Sequence, residues 1–218
     1  CTPSRTSIMT GLYPQTSGAT TNNVRLGPDA RTIAEMVPDD VTCGYYGKWH
    51  LGDEIFPQRG FSEWVSSEDQ YRRFYSRPDT LSEMSDYHHF LVNEGLEPDK
   101  EYLGQGVFSR QMAAELPAEL SKAAFLGREA ARFITERAED PFVLFVSFLE
   151  PHPPYTSPLA HLYPPGEIPV GPTFMKPPPA TASEFHRGRA DYYMGLERLE
   201  LDLESGQEVE NFDLRTEG

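Results

Sequence analysis

The chain has 218 residues, 24% of them charged, and a formal net charge of −15 at pH 7. This acidity argues against a nucleic-acid partner, because surfaces that bind nucleic acid are basic. The length suits one domain or a large part of one, and no apolar run is long enough to predict a membrane span. Two cysteines, Cys1 and Cys43, do not define a redox compartment, and Cys43 is expected to be a small buried residue.

The first predicted element is a short helix over residues 4–10. Pro3 suits the first turn of a helix, and Gly11 offers a stop. The free N–H groups and the positive dipole end of such a helix would face whatever Cys1 holds, and Arg5 adds a cation beside it. This arrangement suits a tetrahedral oxyanion.

A short helix over residues 32–37 and a strand over 41–45 come next. Lys48 and His50 follow the strand and alternate along an extended chain, so both can point to the same side. The lysine would supply a positive charge, and the histidine could donate a hydrogen bond or a proton. The alternative is a solvated loop. Trp49 and Trp64 are expected to serve packing.

Residues 66–117 are aromatic and charged with weak periodicity, and we expect them to cover the sheet edge and shape a substrate pocket. A helix is predicted over residues 81–93, closed by Gly95. Its adjacent histidines, His88 and His89, are expected to lie one packed and one outward. Neighbouring residues do not share a helix face, so they do not predict a two-ligand metal site.

Residues 121–137 form the clearest helix, and its predicted apolar face consists of Ala123, Leu126, Ala130, Phe133, Ile134 and Ala138. Residues 142–148 predict a fully buried strand. His152 follows that strand among prolines, either as a site residue or as an uninvolved loop histidine. From residue 151 to 179 proline favours a long extended loop. The alternation of strands and helices predicts an α/β fold with ligands at the carboxyl ends of parallel strands.

Three of these stretches together resemble the type I, formylglycine-dependent sulfatases of the alkaline-phosphatase-like superfamily. They are the C-x-P-x-R pattern with the residues after it, the G-K-W-H-L-G run at 47–52, and the strand with its histidine at 141–155. The resemblance implies a mostly parallel sheet flanked by helices, truncated here at both ends. Residues 1–195 would form a partial catalytic domain, and 196–218 an acidic tail that departs from the family pattern.

The resemblance also implies roles for five residues. A formylglycine-generating enzyme would oxidise Cys1 to an aldehyde, whose hydrate is the nucleophile that cleaves a sulfate monoester. Arg5 would hold and stabilise it. Lys48 and His152 would hold sulfate oxygens and help protonate the leaving oxygen, and His50 would assist collapse of the intermediate. The implied substrate is a sulfated small molecule or carbohydrate.

A calcium or magnesium ion is implied as well, with the formylglycine oxygen at Cys1 as the one ligand inside this chain. Hard cations need several oxygen ligands, typically about 6–8 for calcium. We therefore expect the metal site to be incomplete and the isolated chain to be inactive. The family's habit of export implies a periplasmic, extracellular or lysosomal location for the complete protein.

Other interpretations stay open at this point. The same motif occurs in phosphonate and phosphate ester hydrolases of the superfamily, and the chain could be a catalytically silent fragment. Cys1 could also be an ordinary buried thiol, or the nucleophile of an N-terminal nucleophile hydrolase, with its own amine as base. The last interpretation leaves Pro3, Arg5 and the lysine–histidine pair without a role.

Overall fold

A three-stranded parallel sheet forms the centre of the first part of the chain. In the computed structural model, which describes residues 1–173 and 176–195, strand β1 (Thr42–Gly47) lies between β2 (Glu63–Val65) and β5 (Phe142–Ser147). Both neighbours run parallel to β1, and Gly47 pairs with Ser147 at the carboxyl ends. The predicted parallel α/β arrangement is therefore confirmed. Strands β3 (Lys100–Tyr102) and β4 (Gln105–Val107) form a separate antiparallel hairpin.

The described residues divide into two compact units after Ala160. Helices of the first unit are α1 (Thr2–Thr10), α2 (Pro14–Ser17), α3 (Asp86–Asn93), α4 (Arg110–Glu115) and α5 (Lys122–Glu136). The second unit contains α6 (Glu184–Gly195). Between residues 151 and 179, the described part of the chain has only short 3-10 turns, as the proline content predicts. The predicted acidic tail at 196–218 lies outside the described residues.

Local sequence signals predicted the positions of the first elements to within a few residues. Helix α1 begins two residues before the prediction because Cys1 is the N-cap and Pro3 lies in the first turn, and Gly11 ends it with φ 70°. The predicted helix at 32–37 is a single 3-10 turn, Ile33–Glu35, which begins with a capping box between Thr32 and Glu35. The strand predicted at 41–45 is confirmed as β1.

The prediction for α3 had the wrong start. The helix begins at Asp86 because the Ser85 hydroxyl accepts a hydrogen bond from the backbone N–H of His88 and caps it there. His88 is buried and His89 exposed, which confirms the expected split between them. Strand β5 is half-buried over most of its length rather than fully buried. Among the described residues, its only sheet neighbour is β1.

The predicted apolar face of α5 was partly wrong. Leu126 and Phe133 are buried as expected, but three predicted positions are exposed: Ala123, Ile134 and Ala138. Phe125 is buried instead, with its ring 5.1 Å from that of Phe90 on α3. The helix packs on α3 as well as on the sheet, so the buried face is rotated toward Phe125.

The core has one cluster on each face of β1. Tyr46 packs with Phe133 and Leu126 of α5, whereas Tyr45 and Cys43 face α1 and pack with Trp49. Cys43 is a buried free thiol, as expected. Both tryptophans serve packing, since the Trp49 and Trp64 rings lie 5.4 Å apart in the Tyr45 cluster. Burial on both faces fixes β1 and thereby the residues that follow it.

Membrane-spanning helices are not found in residues 1–173 and 176–195, where no helix is both long and apolar enough to cross a bilayer.

Candidate active site

Lys48 is placed by a glycine that no other residue could replace without strain. Gly47 has φ 103°, and a Cβ there would lie 2.1 Å from the carbonyl oxygen of Ser147. This close approach lets the Lys48 N–H donate to the same oxygen at 3.1 Å. Lys48 therefore leaves the sheet at the carboxyl ends of two parallel strands, where ligands of α/β folds bind.

The side chains of Cys1 and Lys48 meet at the N-terminus of α1. The Lys48 Nζ lies 3.8 Å from the Cys1 Sγ, and Cys1 is exposed whereas Lys48 is 1% exposed. As N-cap of a nine-residue helix, Cys1 also lies at the positive end of the helix dipole. Two sources of positive potential therefore act on one accessible side chain.

Arg5 connects α1 to the ends of both strands. Its Nη1 donates to the Lys48 carbonyl and the Ser147 hydroxyl, both at 2.6 Å, and lies 3.2 Å from the Tyr45 hydroxyl. Tyr45 also donates to the Lys48 carbonyl, and burial raises its pKa to about 12, so it keeps its proton. These bonds fix the helix that carries Cys1 against the strand that carries Lys48.

His50 is buried and linked to Cys1 through two asparagines that sequence reasoning missed. The His50 Nε2 lies 2.7 Å from the Asn23 Oδ1, and the Asn22 Oδ1 accepts from the backbone nitrogen of Cys1 at 2.7 Å. Thr2 completes the link, since its hydroxyl donates to the His50 carbonyl at 2.9 Å. Asn23 and His50 both have positive φ, which Asn and His tolerate better than most residues.

A fully buried carboxylate, Glu54, holds the backbone of this loop. Its two oxygens accept the N–H groups of Trp49 at 2.8 Å and His50 at 2.6 Å. Desolvation raises the pKa of Glu54 to about 7, although the two backbone bonds act to lower it. The signal for it was an acid four residues after His50, which sequence reasoning did not use.

A second buried carboxylate, Glu68, pairs with two cations on α4 and α5. Its oxygens contact Arg110 at 3.1 Å and Lys122 at closer range. Burial acts to raise the pKa of Glu68, but Lys122 and Arg110 together hold that pKa down to about 2. Arg110 also donates to the Tyr71 hydroxyl at 3.0 Å. No local pattern predicts these contacts, because they join residues that are 39 to 54 positions apart.

Cys1 and His152 line different cavities. An open cleft of about 440 Å³ is bordered by Cys1 and Arg5, with the end of β5 on its other side. His152 borders a smaller cavity of about 80 Å³ with Arg110 and Lys122, and Glu150 lines both cavities. The structure thus brings together Cys1, Arg5, Lys48 and His50, and it places His152 on the neighbouring cavity.

No group of three or more His, Cys, Asp or Glu side chains suited to a metal ion occurs within the described ranges 1–173 and 176–195. The contacts of Cys1 include the Lys48 ammonium group and the Asn22 amide.

Comparison with known families gives this site its context. The model of the sulfatase family matches residues 1–171. The chain belongs to the sulfatase family. This membership confirms the resemblance carried by the cysteine, lysine and histidine motifs.

Curated sulfatases are similar over most of the chain. An uncharacterised Escherichia coli sulfatase, YidJ, is 30% identical over 168 residues, which cover 74% of this chain and 31% of that protein. An ulvan-active sulfatase of Formosa agariphila is 26% identical over 160 residues, 72% of this chain and 27% of that one. The chain spans less than a third of the length of these relatives.

Solved structures show the same fold. Phosphonate monoester hydrolases from Agrobacterium radiobacter and Silicibacter pomeroyi each superpose with a TM-score of 0.53 over 78% of this chain, at 19% and 23% identity. The matched regions make up 35% and 36% of the lengths of those two chains. The alkaline-phosphatase-like α/β fold is therefore confirmed.

Proposed function

We propose that the full-length protein is a sulfuric ester hydrolase whose nucleophile is Cys1, oxidised to formylglycine and hydrated. The observation that carries this proposal is the 3.8 Å contact between the Cys1 Sγ and the buried Lys48 ammonium at a helix N-terminus. In a chain of net charge −15, a sulfate ester needs such a local positive site. Membership of the sulfatase family supports the reaction class.

The first step transfers the sulfate group to the side chain of residue 1. One hydroxyl oxygen of the hydrate forms a bond to sulfur and gives up its proton, while the bond between sulfur and the alcohol oxygen breaks and the alcohol oxygen gains a proton. Lys48 holds a sulfate oxygen and delivers the proton that the departing alcohol takes up. His152 borders the neighbouring cavity, so its proposed share in this role requires a substrate that extends past Glu150, which lines both cavities. Arg5 holds residue 1 in place through α1, because its guanidinium group fixes that helix on Lys48 and Ser147.

The second step releases sulfate without water attacking sulfur. His50 accepts the proton of the remaining hydroxyl, the carbon–oxygen bond to sulfate breaks, and the aldehyde is restored. A thiol or a serine hydroxyl lacks the second hydroxyl and would stop at the sulfated adduct. The modification of Cys1 is thus part of the proposal, and a formylglycine-generating enzyme is the expected partner.

The calcium or magnesium ion that the family implies does not fit the groups that the described residues place around Cys1. Residues 1–173 and 176–195 contain no group of three or more His, Cys, Asp or Glu side chains suited to a metal ion, and the Asn22 amide offers one neutral oxygen. Calcium takes about 6–8 oxygen ligands. We therefore expect the isolated 218-residue chain to be inactive and calorimetric titration with calcium to show no binding. Binding at micromolar calcium would contradict this expectation.

Turnover of p-nitrophenyl sulfate by the full-length protein tests the nucleophile. We expect Cys1→Ala to lower kcat by about a thousandfold or more, because the covalent step is lost. Cys43→Ala is the matched control, since Cys43 is buried in the core and should leave kcat unchanged. Equal rates for Cys1→Ala and the wild type would refute the proposal.

A second candidate is a phosphonate or phosphate ester hydrolase with the same nucleophile. It is favoured by the two structural neighbours, which are both phosphonate monoester hydrolases. Competition between p-nitrophenyl sulfate and a p-nitrophenyl phosphonate monoester on the same preparation separates the two. A larger kcat/KM for the sulfate supports the first proposal, and a larger value for the phosphonate supports the second.

A further inference from the structure

Tyr71 lies beneath both side chains that follow β1. Its ring centroid is 4.9 Å from the Lys48 Nζ and 4.2 Å from the centroid of the His50 ring, which is tilted by 34°. Tyr71 is 1% exposed and His50 2% exposed. An ammonium group over an aromatic face is attracted by the electron-rich ring, and the attraction increases when water is excluded.

The ring is also anchored by the buried ion pair of Glu68 and Arg110, and the Arg110 guanidinium carbon lies 5.5 Å from the ring centroid. The Tyr71 hydroxyl accepts a hydrogen bond from the Arg110 Nη2 at 3.0 Å, and the same nitrogen lies 3.1 Å from the Glu68 Oε2. Glu68 also pairs with Lys122 of α5, so its charge is compensated twice. Tyr71 is thereby fixed to elements far along the chain from the strand that it supports.

From these contacts we infer that Tyr71 is a positioning residue for the active site, which holds the Lys48 ammonium and the His50 imidazole through its ring. The inference rests on the proposed function, because it assumes that Lys48 and His50 act on the sulfate ester. Glu54 and Tyr71 have different roles: Glu54 fixes the backbone of the loop through two hydrogen bonds, and Tyr71 fixes the side chains of Lys48 and His50 through its ring.

Loss of the ring should lower catalysis more than loss of the hydroxyl. Loss of the cation–π contact and of the ring contact together should lower kcat/KM by about ten- to hundredfold, which corresponds to about 1.4–2.7 kcal/mol. Tyr71→Met keeps a large apolar side chain but removes the ring, so kcat/KM should fall by that factor. Tyr71→Phe keeps the ring, and kcat/KM should stay within about threefold of the wild type.

The matched control is Phe133→Leu, which removes a ring of similar burial that packs on Tyr46 and Phe142. This variant should lower the melting temperature but leave kcat/KM per folded molecule unchanged. A purely structural Tyr71 would behave in the same way. Tyr71→Met at wild-type kcat/KM per folded molecule would therefore overturn the inference, as would Tyr71→Phe with the full loss of Tyr71→Met.

Fluorinated phenylalanines at position 71 keep the test decisive if Tyr71→Met does not fold. Successive fluorines weaken the negative face of the ring with little change in shape. We expect kcat/KM for p-nitrophenyl sulfate to fall stepwise, by about tenfold for the trifluoro ring, and an unchanged kcat/KM across the series would overturn the inference. Cys1→Ala, assayed in parallel, distinguishes failure of this inference from failure of the proposed function. If Cys1→Ala stays active, the proposed function fails. If Cys1→Ala loses activity but the fluorine series leaves kcat/KM unchanged, only the role of Tyr71 is overturned.

Discussion

Glu54→Gln should change how the stability of the protein depends on pH. The carboxyl group is fully buried, and desolvation raises its pKa from the ordinary value of 4.5 to about 7 in the folded state. Between these two values the folded state holds a proton that the unfolded state has already released. The free energy of unfolding therefore falls as pH rises from 4.5 toward 7, and this group adds no further change above that.

The size of the effect follows from the interval between the two pKa values. At about 1.4 kcal/mol per pH unit, the interval corresponds to about 3 kcal/mol. Glutamine removes this term. It also loses one of the two backbone hydrogen bonds, at a cost of about 1–3 kcal/mol that does not depend on pH. The pH dependence of the difference between variant and wild type thus isolates the buried carboxyl group.

Urea unfolding followed by tryptophan fluorescence at a series of pH values from about 4.5 to about 8 measures this difference. We expect the stability of Glu54→Gln relative to the wild type to rise by about 3 kcal/mol across the series. Glu136→Gln, which changes an exposed glutamate on α5, is the control and should show no such rise. A constant difference for Glu54→Gln at every pH would refute the reasoning.

Three further changes test the scaffold of the site. Gly47→Ala should cost more than about 2 kcal/mol and lower kcat, because the added Cβ meets the Ser147 carbonyl at a positive φ; normal stability and kcat would contradict this. Leu126→Ala should cost about 2–5 kcal/mol in urea unfolding, since Leu126 is fully buried, whereas Ile134→Ala on the exposed face should cost less than about 1 kcal/mol. Glu68→Gln should cost about 3–5 kcal/mol because it leaves two buried cations without their carboxylate, and a melting temperature equal to that of the wild type would refute that role.

Elements with strong local signals could be predicted from the sequence. A proline and a glycine bracket α1, a capping serine begins α5, and an apolar run marks β5. The face of α5 was harder to predict, because Phe125 is buried by α3, some thirty residues earlier in the chain. Periodicity identifies a helix, but its partners decide which stripe is buried.

For the site too, the sequence predicts the residues that its motifs mark but not the residues that support them. Cys1 and Lys48 lie next to each other, because Cys1 caps the start of α1 and Lys48 follows the end of β1, and the sequence marks both positions. The residues that support them were missed. Tyr71 is fixed by Glu68 and Arg110 through contacts that only the folded chain creates, and their roles depend on burial rather than on spacing.

The chemical state of Cys1 tests the central claim most directly. The full-length protein is made together with a formylglycine-generating enzyme, and the peptide that carries Cys1 is analysed by mass spectrometry. The peptide that carries Cys43 is the internal reference. We predict a mass about 18 Da below that of the thiol form for the Cys1 peptide and an unchanged mass for the Cys43 peptide. An active preparation in which Cys1 keeps the thiol mass would contradict the account.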